Sequence, residues 1–199
     1  MITIKSGFVV AETENMRRRR AWACAAAMMS VILLSLPITP FLWRKAVEVF
    51  GPQFNILGYF VLVVLALVFA IYAVRRRDRL ERSSVFVLGG LAVIYYWLLR
   101  YHCRFPAERL HLFEYGLLAY LLYRALRYDF PEMKAYSLGF SISSLFGLLD
   151  EIIQHFLPNR VFEWRDVATN VIASALGLVI TWLLFRETSR PVTSSETTI

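Results

Sequence analysis

The sequence predicts an all-α, polytopic membrane protein: a transmembrane helical bundle of about six spans with both termini in the cytoplasm. Of its 199 residues, 58% are hydrophobic and 19% are charged, whereas an average chain is roughly 45–50% apolar and about 25% charged. The apolar residues form stretches long enough to cross a bilayer core of ~30 Å as helices. Lys and Arg concentrate at alternate ends of these stretches, which is the pattern that orients membrane proteins.

This composition excludes several other classes of protein. A disordered chain needs low hydrophobicity, and the chain has the opposite. The net charge of +7 is basic, but too few polar residues remain to cover a soluble basic domain, so we expect no nucleic-acid partner. Cys24 and Cys103 form neither a disulfide framework nor a zinc-finger or CxxC pattern. No motif calls for a cofactor or a metal ion.

Six apolar stretches are predicted to span the membrane. In chain order they are residues 21–36, 54–74, 84–99, 111–126, 134–149 and 166–185. The first is expected to end near Pro37, because proline disrupts a helix interior, and residues 38–53 then form a short amphipathic stretch at the membrane interface. Polar residues lower the hydropathy of the last three stretches, so five spans are the alternative to six.

The predicted organisation has three parts. Residues 1–20 are a cytoplasmic N-terminal extension, residues 21–186 the transmembrane domain, and the Ser- and Thr-rich residues 187–199 a disordered cytoplasmic tail. Four arginines precede the first span, as at the start of a signal peptide. No small-residue cleavage site follows it, so we interpret this span as an uncleaved anchor.

The orientation follows from the basic residues on the two sides of the six predicted spans. The side with the termini carries 15 Lys and Arg, and the opposite side carries 7. Basic residues concentrate in cytoplasmic loops, so both termini are predicted to be cytoplasmic. Subtracting the 8 and 7 acidic residues of the two sides leaves the whole charge of +7 inside and none outside. The balanced outer side is therefore the better place to look for function.

Polar residues interrupt the apolar pattern at the outer end of the fourth span. Glu108, His111 and Glu114 recur every three residues, so they share one broad face if a helix begins near Pro106. Glu114 then lies a turn inside the apolar region. An ionisable side chain there is costly unless it is paired or faces a polar cavity.

The fifth span ends with a second polar group. Asp150 and Gln154 are four residues apart, as are Glu151 and His155. On a continuous helix each of these pairs consists of neighbours on one face.

The loop after the fifth span and the start of the sixth span add a third polar group. Asp166 and Asn170 repeat the four-residue spacing, and Arg160 and Arg165 precede them. Taken singly, each has a structural interpretation, such as a helix cap or a helix–helix hydrogen bond. Together they predict a polar pocket that binds a ligand, since intramembrane ionisable residues are rarely retained without use. The candidate ligand-binding residues are Glu108, His111, Glu114, Asp150, Glu151, Gln154, Arg160, Arg165, Asp166 and Asn170.

Small residues in the last two spans predict close helix packing. The fifth span contains Gly139, Ser141, Ser143, Ser144 and Gly147, and the sixth contains Ala168, Ala173, Ser174, Ala175 and Gly177. Small side chains let membrane helices approach closely. We therefore expect these two spans to pack tightly against each other.

The segment DEIIQHFLPNRVFEWRDVATNVIASALG resembles the signature of the VanZ-like family of integral membrane proteins. It has an Asp–Glu pair, a Gln three residues beyond the Glu, a Pro-x-Arg turn, and an Asp followed four residues later by an Asn. The upstream RLHLFEYGLLAYLL is similar to the family's His-containing fourth span. The resemblance covers residues 105–184. It singles out His111, Glu114, Asp150, Glu151, Gln154, Arg160, Asp166 and Asn170.

The resemblance implies a role in the bacterial cell envelope, with the protein in the cytoplasmic membrane. The name member of the family is associated with low-level resistance to teicoplanin, a lipid-bearing glycopeptide antibiotic. The expected partners are membrane lipids and a lipid-linked envelope precursor or a lipoglycopeptide. A family resemblance by itself supplies no mechanism.

Three functions are compatible with the outer polar face. The first is non-catalytic binding of a lipid-linked or amphiphilic molecule, with Arg160 and Arg165 contacting an anionic head group. The second is an intramembrane enzyme acting on an envelope lipid or glycan. Its candidate catalytic residues are His111, Glu114, Asp150 and Glu151, as general acid or base; a variant of this hypothesis has a metal site of His111, Glu114, Asp150 and His155. The third is a small lipid transporter or flippase.

Overall fold

A computed structural model of the chain describes residues 2–51, 82–102, 106–158 and 160–185. Within these ranges it contains five α-helices and no strand. They are α1, Ile2–Phe50; α2, Arg82–Trp97, continued by a π-helical turn, Leu98–His102; α3, Pro106–Leu126; α4, Glu132–His155; and α5, Trp164–Phe185. The predicted all-α class is confirmed for this part of the chain. The predicted second span (54–74) and the tail (187–199) lie outside the described residues.

Three of these helices are long and apolar enough to cross a membrane. They are α1 over Glu12–Phe50, together with α4 and α5. Large apolar side chains also cover the outside of the bundle: Leu34 is 68% exposed and Leu145 is 66% exposed. Soluble proteins rarely expose continuous apolar surface of this kind. The chain is therefore a multi-pass membrane protein.

The predicted end of the first span near Pro37 is wrong. α1 continues through Pro37 and Pro40 to Phe50, so residues 38–50 belong to the same helix and not to a separate interfacial stretch. Prolines are tolerated in membrane helices where side chains and neighbouring helices compensate for the lost backbone bonds. Beside them the Ser35 hydroxyl donates to the Ile32 carbonyl at 2.8 Å. α1 ends where Gly51, with φ 74°, adopts the left-handed conformation favoured by glycine after a helix.

The starts of the later helices follow from local chemistry. α3 begins at Pro106, as predicted, because proline suits the first position of a helix. α4 follows Pro131, with Glu132 in its first turn, and α5 has Asp166 in its first turn. Both carboxyl groups interact favourably with the positive end of the helix dipole.

Helix α3 lies at the centre of the described bundle and contacts α1, α4 and α5. Its side chains Leu112, Tyr115, Ala119 and Leu122 recur at intervals of three or four residues and are at most 2% exposed. That spacing keeps them on adjoining faces of one helix. The polar residues at the start of α3 are therefore held between three neighbouring helices.

Small residues join α4 and α5 as the sequence predicts. The hydroxyls of Ser143 and Ser174 lie 2.8 Å apart, and the Asn170 amide donates to the Gly147 carbonyl at 3.3 Å. A Cβ atom at Gly147 would lie only 2.6 Å from the Asn170 Cβ. Close approach and interhelical hydrogen bonds thus act together, as is usual between membrane helices.

Other small residues pack against α3 instead of against each other. A Cβ at Gly139 would meet the Tyr123 nitrogen at 3.3 Å, and a Cβ at Gly177 would lie 2.5 Å from the Gly116 carbonyl oxygen. Ser141 is exposed. The predicted two-helix packing is therefore only part of a three-helix arrangement with α3 in the middle.

The two ends of the bundle differ in chemistry. At one end, here called the basic end, Arg18 forms a salt bridge with Asp129 in the turn between α3 and α4, and the Trp22 indole donates to the same carboxyl group at 3.2 Å. At the opposite end the His102 Nε2 lies 3.0 Å from the Thr169 Oγ1, which joins the π-helical turn to α5. This second end, here called the polar end, is formed by the end of α2, the start of α3, the end of α4 and the start of α5.

Candidate functional site

A buried carboxyl group lies at the centre of the polar end. Asp150 is 0% exposed. The Tyr115 hydroxyl donates to its Oδ2 at 2.7 Å, and the Gln154 Nε2 donates to its Oδ1 at 3.1 Å. The predicted pairing of Asp150 with Gln154 on one helix face is confirmed. Each carboxyl oxygen thus has a donor, which compensates for its removal from water.

His111 connects this carboxyl group to Glu114. The His111 Nδ1 lies 3.7 Å from the Asp150 Oδ2 and 3.7 Å from the Glu114 Oε2. Both distances exceed a good hydrogen bond, but both are close enough for strong attraction when the imidazole is protonated. The predicted common face of His111 and Glu114 therefore meets Asp150 of α4. The side chain of Glu108 lies outside the described residues.

Glu151 forms a second carboxyl site, which faces the loop between α4 and α5. It is 1% exposed, and its Oε1 accepts the Glu163 backbone N–H at 2.8 Å. Its Oε2 has no hydrogen-bond partner among the described residues, while Arg160 and Asp166 lie nearby. Glu151 thus fixes the loop that carries Arg160 over the end of α4.

The start of α5 combines ionic and structural contacts. The Arg165 guanidinium lies 3.0 Å from Glu163 and 3.8 Å from Asp166. Asn170 is 0% exposed and donates a hydrogen bond to the Gly147 carbonyl. It therefore forms a helix–helix hydrogen bond, which was its structural interpretation from the sequence. His155 is exposed and stacks edge-on against Phe156, whereas its predicted neighbour Glu151, one turn earlier on α4, is buried.

A small cleft opens at the polar end between α1, α3 and the loop that joins α4 to α5. Its lining residues are Ser35, Leu36, Thr39, Leu110, His111, Glu114 and Arg160. Its volume is about 20 Å³, which has room for one water molecule. Three of the predicted ligand-binding residues, His111, Glu114 and Arg160, therefore share a common cleft, with Asp150 directly behind His111.

Sequence reasoning missed three residues of this site. Ser35 lies in the predicted first span but was not assigned to the site, and Thr39 reaches the cleft because α1 continues past Pro37, the predicted end of that span. Tyr115 was not among the predicted site residues. Its position four residues after His111 was a usable signal, since it places the two rings one turn apart, and their centroids lie 6.0 Å from each other.

The grouping of the His, Asp and Glu side chains limits the chemistry that the site can perform. No three His, Cys, Asp or Glu side chains within the described ranges are grouped so that they could hold a metal ion. The exposed His155 does not join His111, Glu114 and Asp150, so the four-residue metal site considered from the sequence is not formed. The cleft instead offers Arg160 to an anion, Glu114 to a cation and His111 for proton transfer.

Comparison with known proteins identifies one family. Residues 6–186 match the model of the family described as VanZ/LLP1. The match also covers residues 6–104, which lie outside the motif resemblance over residues 105–184. No curated protein and no solved structure matches the chain significantly.

Proposed function

Because the chain belongs to the VanZ/LLP1 family, we propose that it is a cell-envelope membrane protein that binds a lipid-linked or amphiphilic molecule at an outward-facing site. The observation that carries this proposal is the cleft in which Arg160, His111 and Glu114 meet. These three come from α3 and from the α4–α5 loop, and the buried Asp150 supports them from α4. Ionisable groups collected at one end of a membrane bundle are costly to keep unless they are used.

The proposed topology has six spans in the bacterial cytoplasmic membrane. The Arg18–Asp129 salt bridge supports it, because it brings the N-terminal part of α1 and the α3–α4 turn to the same end. This basic end is the cytoplasmic one by the distribution of Lys and Arg. The polar end then faces outward, where an envelope molecule can reach the cleft.

Cysteine labelling of intact cells tests this orientation. In a variant with Cys24 and Cys103 replaced by serine, Val161→Cys is expected to react with a membrane-impermeant maleimide before lysis. Tyr128→Cys is expected to react only after lysis. Val161 is 73% exposed at the polar end and Tyr128 is 36% exposed at the basic end, so both thiols are accessible to reagent on their own side. The reverse labelling order would contradict an outward-facing site.

Antibiotic susceptibility tests the binding function. Cells expressing the protein are expected to tolerate more teicoplanin than cells with an empty vector, and Arg160→Gln is expected to abolish this difference. The reason is that glutamine keeps polar bulk but loses the charge that attracts an anionic head group. Tolerance of vancomycin is measured in parallel as a comparison, because the proposal concerns teicoplanin, the lipid-bearing drug.

The matched control for this experiment is Arg124→Gln. Arg124 is an exposed arginine on α3, over the Tyr120 ring and far along the helix from the cleft. This variant is expected to behave like the wild type at equal membrane abundance. Full teicoplanin tolerance in Arg160→Gln would argue against the proposed site, and equal loss in both variants would indicate a general effect of charge.

A second candidate function is an intramembrane enzyme that acts on an envelope lipid or glycan. One observation favours it: His111 lies 3.7 Å from both Asp150 and Glu114, an arrangement that suits transfer of a proton to a bound substrate. Turnover of lipid-linked substrates by the purified protein, lost in His111→Gln, would support this alternative over simple binding.

A further inference from the structure

The carboxyl groups near the cleft differ in their ion-pair partners. Across residues 109–114, 150–158 and 160–166, five carboxyl groups accompany three guanidinium groups. Arg165 contacts two of the carboxyls, those of Glu163 and Asp166. The only ion-pair partner of Glu114 in the described part of the chain is His111, at 3.7 Å. Because Glu114 has only this distant ion-pair partner among the described residues, its partly buried carboxyl group favours a ligand that brings a cation.

Two of the side chains that line the cleft, Ser35 and Glu114, act as hydrogen-bond acceptors. The Ser35 hydroxyl already donates its hydrogen to the Ile32 carbonyl at 2.8 Å, so toward the cleft it can only accept. The Glu114 carboxylate likewise accepts. A group that enters between these two side chains is therefore expected to be a hydrogen-bond donor.

The size of the cleft also bears on which kind of ammonium group can enter it. A volume of about 20 Å³ admits a group the size of a water molecule. A primary ammonium is of this size and has three donors. A trimethylammonium, such as that of choline, is several times larger and has no donor.

Arg160 lies on the same cleft and supplies the complementary contact. A guanidinium group suits a phosphate because its parallel N–H donors match two phosphate oxygens. Leu36 and Leu110 complete the wall, and the exposed Trp164 stands at the start of α5, as aromatic residues do at a membrane interface. A cation site and an anion site thus lie side by side at the lipid boundary.

We propose that the ligand is a phospholipid with a primary ammonium in its head group, the ethanolamine class, with the phosphate on Arg160 and the ammonium on Glu114. This inference rests on the proposed function, because it names the ligand of the same site. The acyl chains lie along the apolar surface of the bundle and the head group enters the cleft. A choline head group is disfavoured because its trimethylammonium has no hydrogen-bond donor for Glu114 and Ser35.

Native mass spectrometry of the full-length protein in detergent tests this inference. The protein is mixed with equal amounts of phosphatidylethanolamine, phosphatidylcholine and phosphatidylglycerol that carry matched acyl chains, and the bound lipids are counted. The ethanolamine lipid is expected to be bound about tenfold more than either of the others, since one charge-assisted hydrogen bond is of that order. Equal occupancy by the ethanolamine and choline lipids would overturn the inference.

Two variants separate the two contacts. Glu114→Gln is expected to reduce the ethanolamine-to-choline ratio to about one, because the amide keeps the shape but not the charge. Arg160→Gln is expected to reduce binding of all three lipids while the ratio stays high. Glu48→Gln, which changes an exposed carboxylate of α1 outside the cleft, is the matched control and should behave like the wild type. A ratio unchanged in Glu114→Gln would overturn the assignment of the ammonium site.

A soluble head group provides the last comparison. Phosphoethanolamine without acyl chains, at the concentration of the lipid, is expected to leave lipid binding unchanged. If it displaced the lipid as well as an equal amount of lipid does, the inference that the ligand is a lipid would be overturned.

Failure of the proposed function looks different from failure of this inference. In the first case no lipid is retained and Arg160→Gln changes nothing; in the second, lipids are retained through Arg160 without preference for the ammonium.

Discussion

Replacing Gly177 with alanine is expected to lower the stability of the bundle by about 2 kcal/mol or more, within the range of ~1–3 kcal/mol typical of overpacking. A Cβ at this position would lie 2.5 Å from the carbonyl oxygen and 2.6 Å from the Cα of Gly116. Both are backbone atoms, so no side chain can rotate away and α3 and α5 must separate. The gain in helix propensity from glycine to alanine, roughly 1 kcal/mol, offsets only part of this cost.

Thermal unfolding of the purified protein in detergent measures the effect. A loss of ~2 kcal/mol corresponds to a Tm roughly 4–8 °C lower for a chain of this length. Gly116→Ala should cost less, because its Cβ would meet its nearest atom, the Ala173 carbonyl oxygen, at 3.3 Å. Gly90→Ala is the control, since its Cβ would meet no described atom within 4 Å. Equal Tm values for the three variants would refute the close contact between α3 and α5.

The second large effect is expected for Asp150→Leu. Leucine has the same branched shape and the same number of side-chain heavy atoms, so the substitution leaves no cavity, but it leaves the Tyr115 hydroxyl and the Gln154 amide without their acceptors. Each unsatisfied buried donor costs ~1–3 kcal/mol, so the free energy of unfolding should fall by roughly 2–6 kcal/mol in total. Asp150→Asn should cost less, because its amide oxygen still accepts one of the two hydrogen bonds.

A double-mutant cycle with Tyr115→Phe separates the hydrogen bond from general disruption. Removing the tyrosine hydroxyl also removes the donor that Asp150→Leu strands, so the double variant should be more stable than the sum of the two single losses predicts. The measurement is again thermal unfolding in detergent. Strictly additive losses would show that the 2.7 Å contact between Tyr115 and Asp150 contributes nothing specific.

Contacts within one helix were the part of the site that the sequence could predict. The four-residue spacing of Asp150 and Gln154 predicted neighbours, and they are hydrogen-bonded. The same spacing makes Glu151 and His155 neighbours on α4, but it did not show that Glu151 is buried and His155 is exposed. Spacing fixes the relative angle of two side chains on a helix, but not which direction faces the neighbouring helices.

Contacts between helices were beyond the reach of the sequence. Nothing in the residue pattern joined Tyr115 to Asp150, 35 positions apart, or the Glu163 backbone to Glu151. The part of α1 beyond Pro37 was also not predicted to reach the cleft, because prolines generally predict the end of a helix. Only packing in the surrounding bundle allows α1 to continue through them. The small residues predicted close packing but not that Gly177 would meet Gly116.

The sequence by itself determined the class of protein, the approximate positions of helices α2 to α5, and the family. These depend on composition, apolar stretch length and ordered motifs, all of which are local properties of a chain. Only the tertiary structure decided which polar residues meet: His111, Glu114 and Arg160 in the cleft, Asp150 behind them, and Asn170 apart in a helix contact. The physical reason is that burial and pairing depend on helix rotation and approach, which are fixed by packing against neighbours.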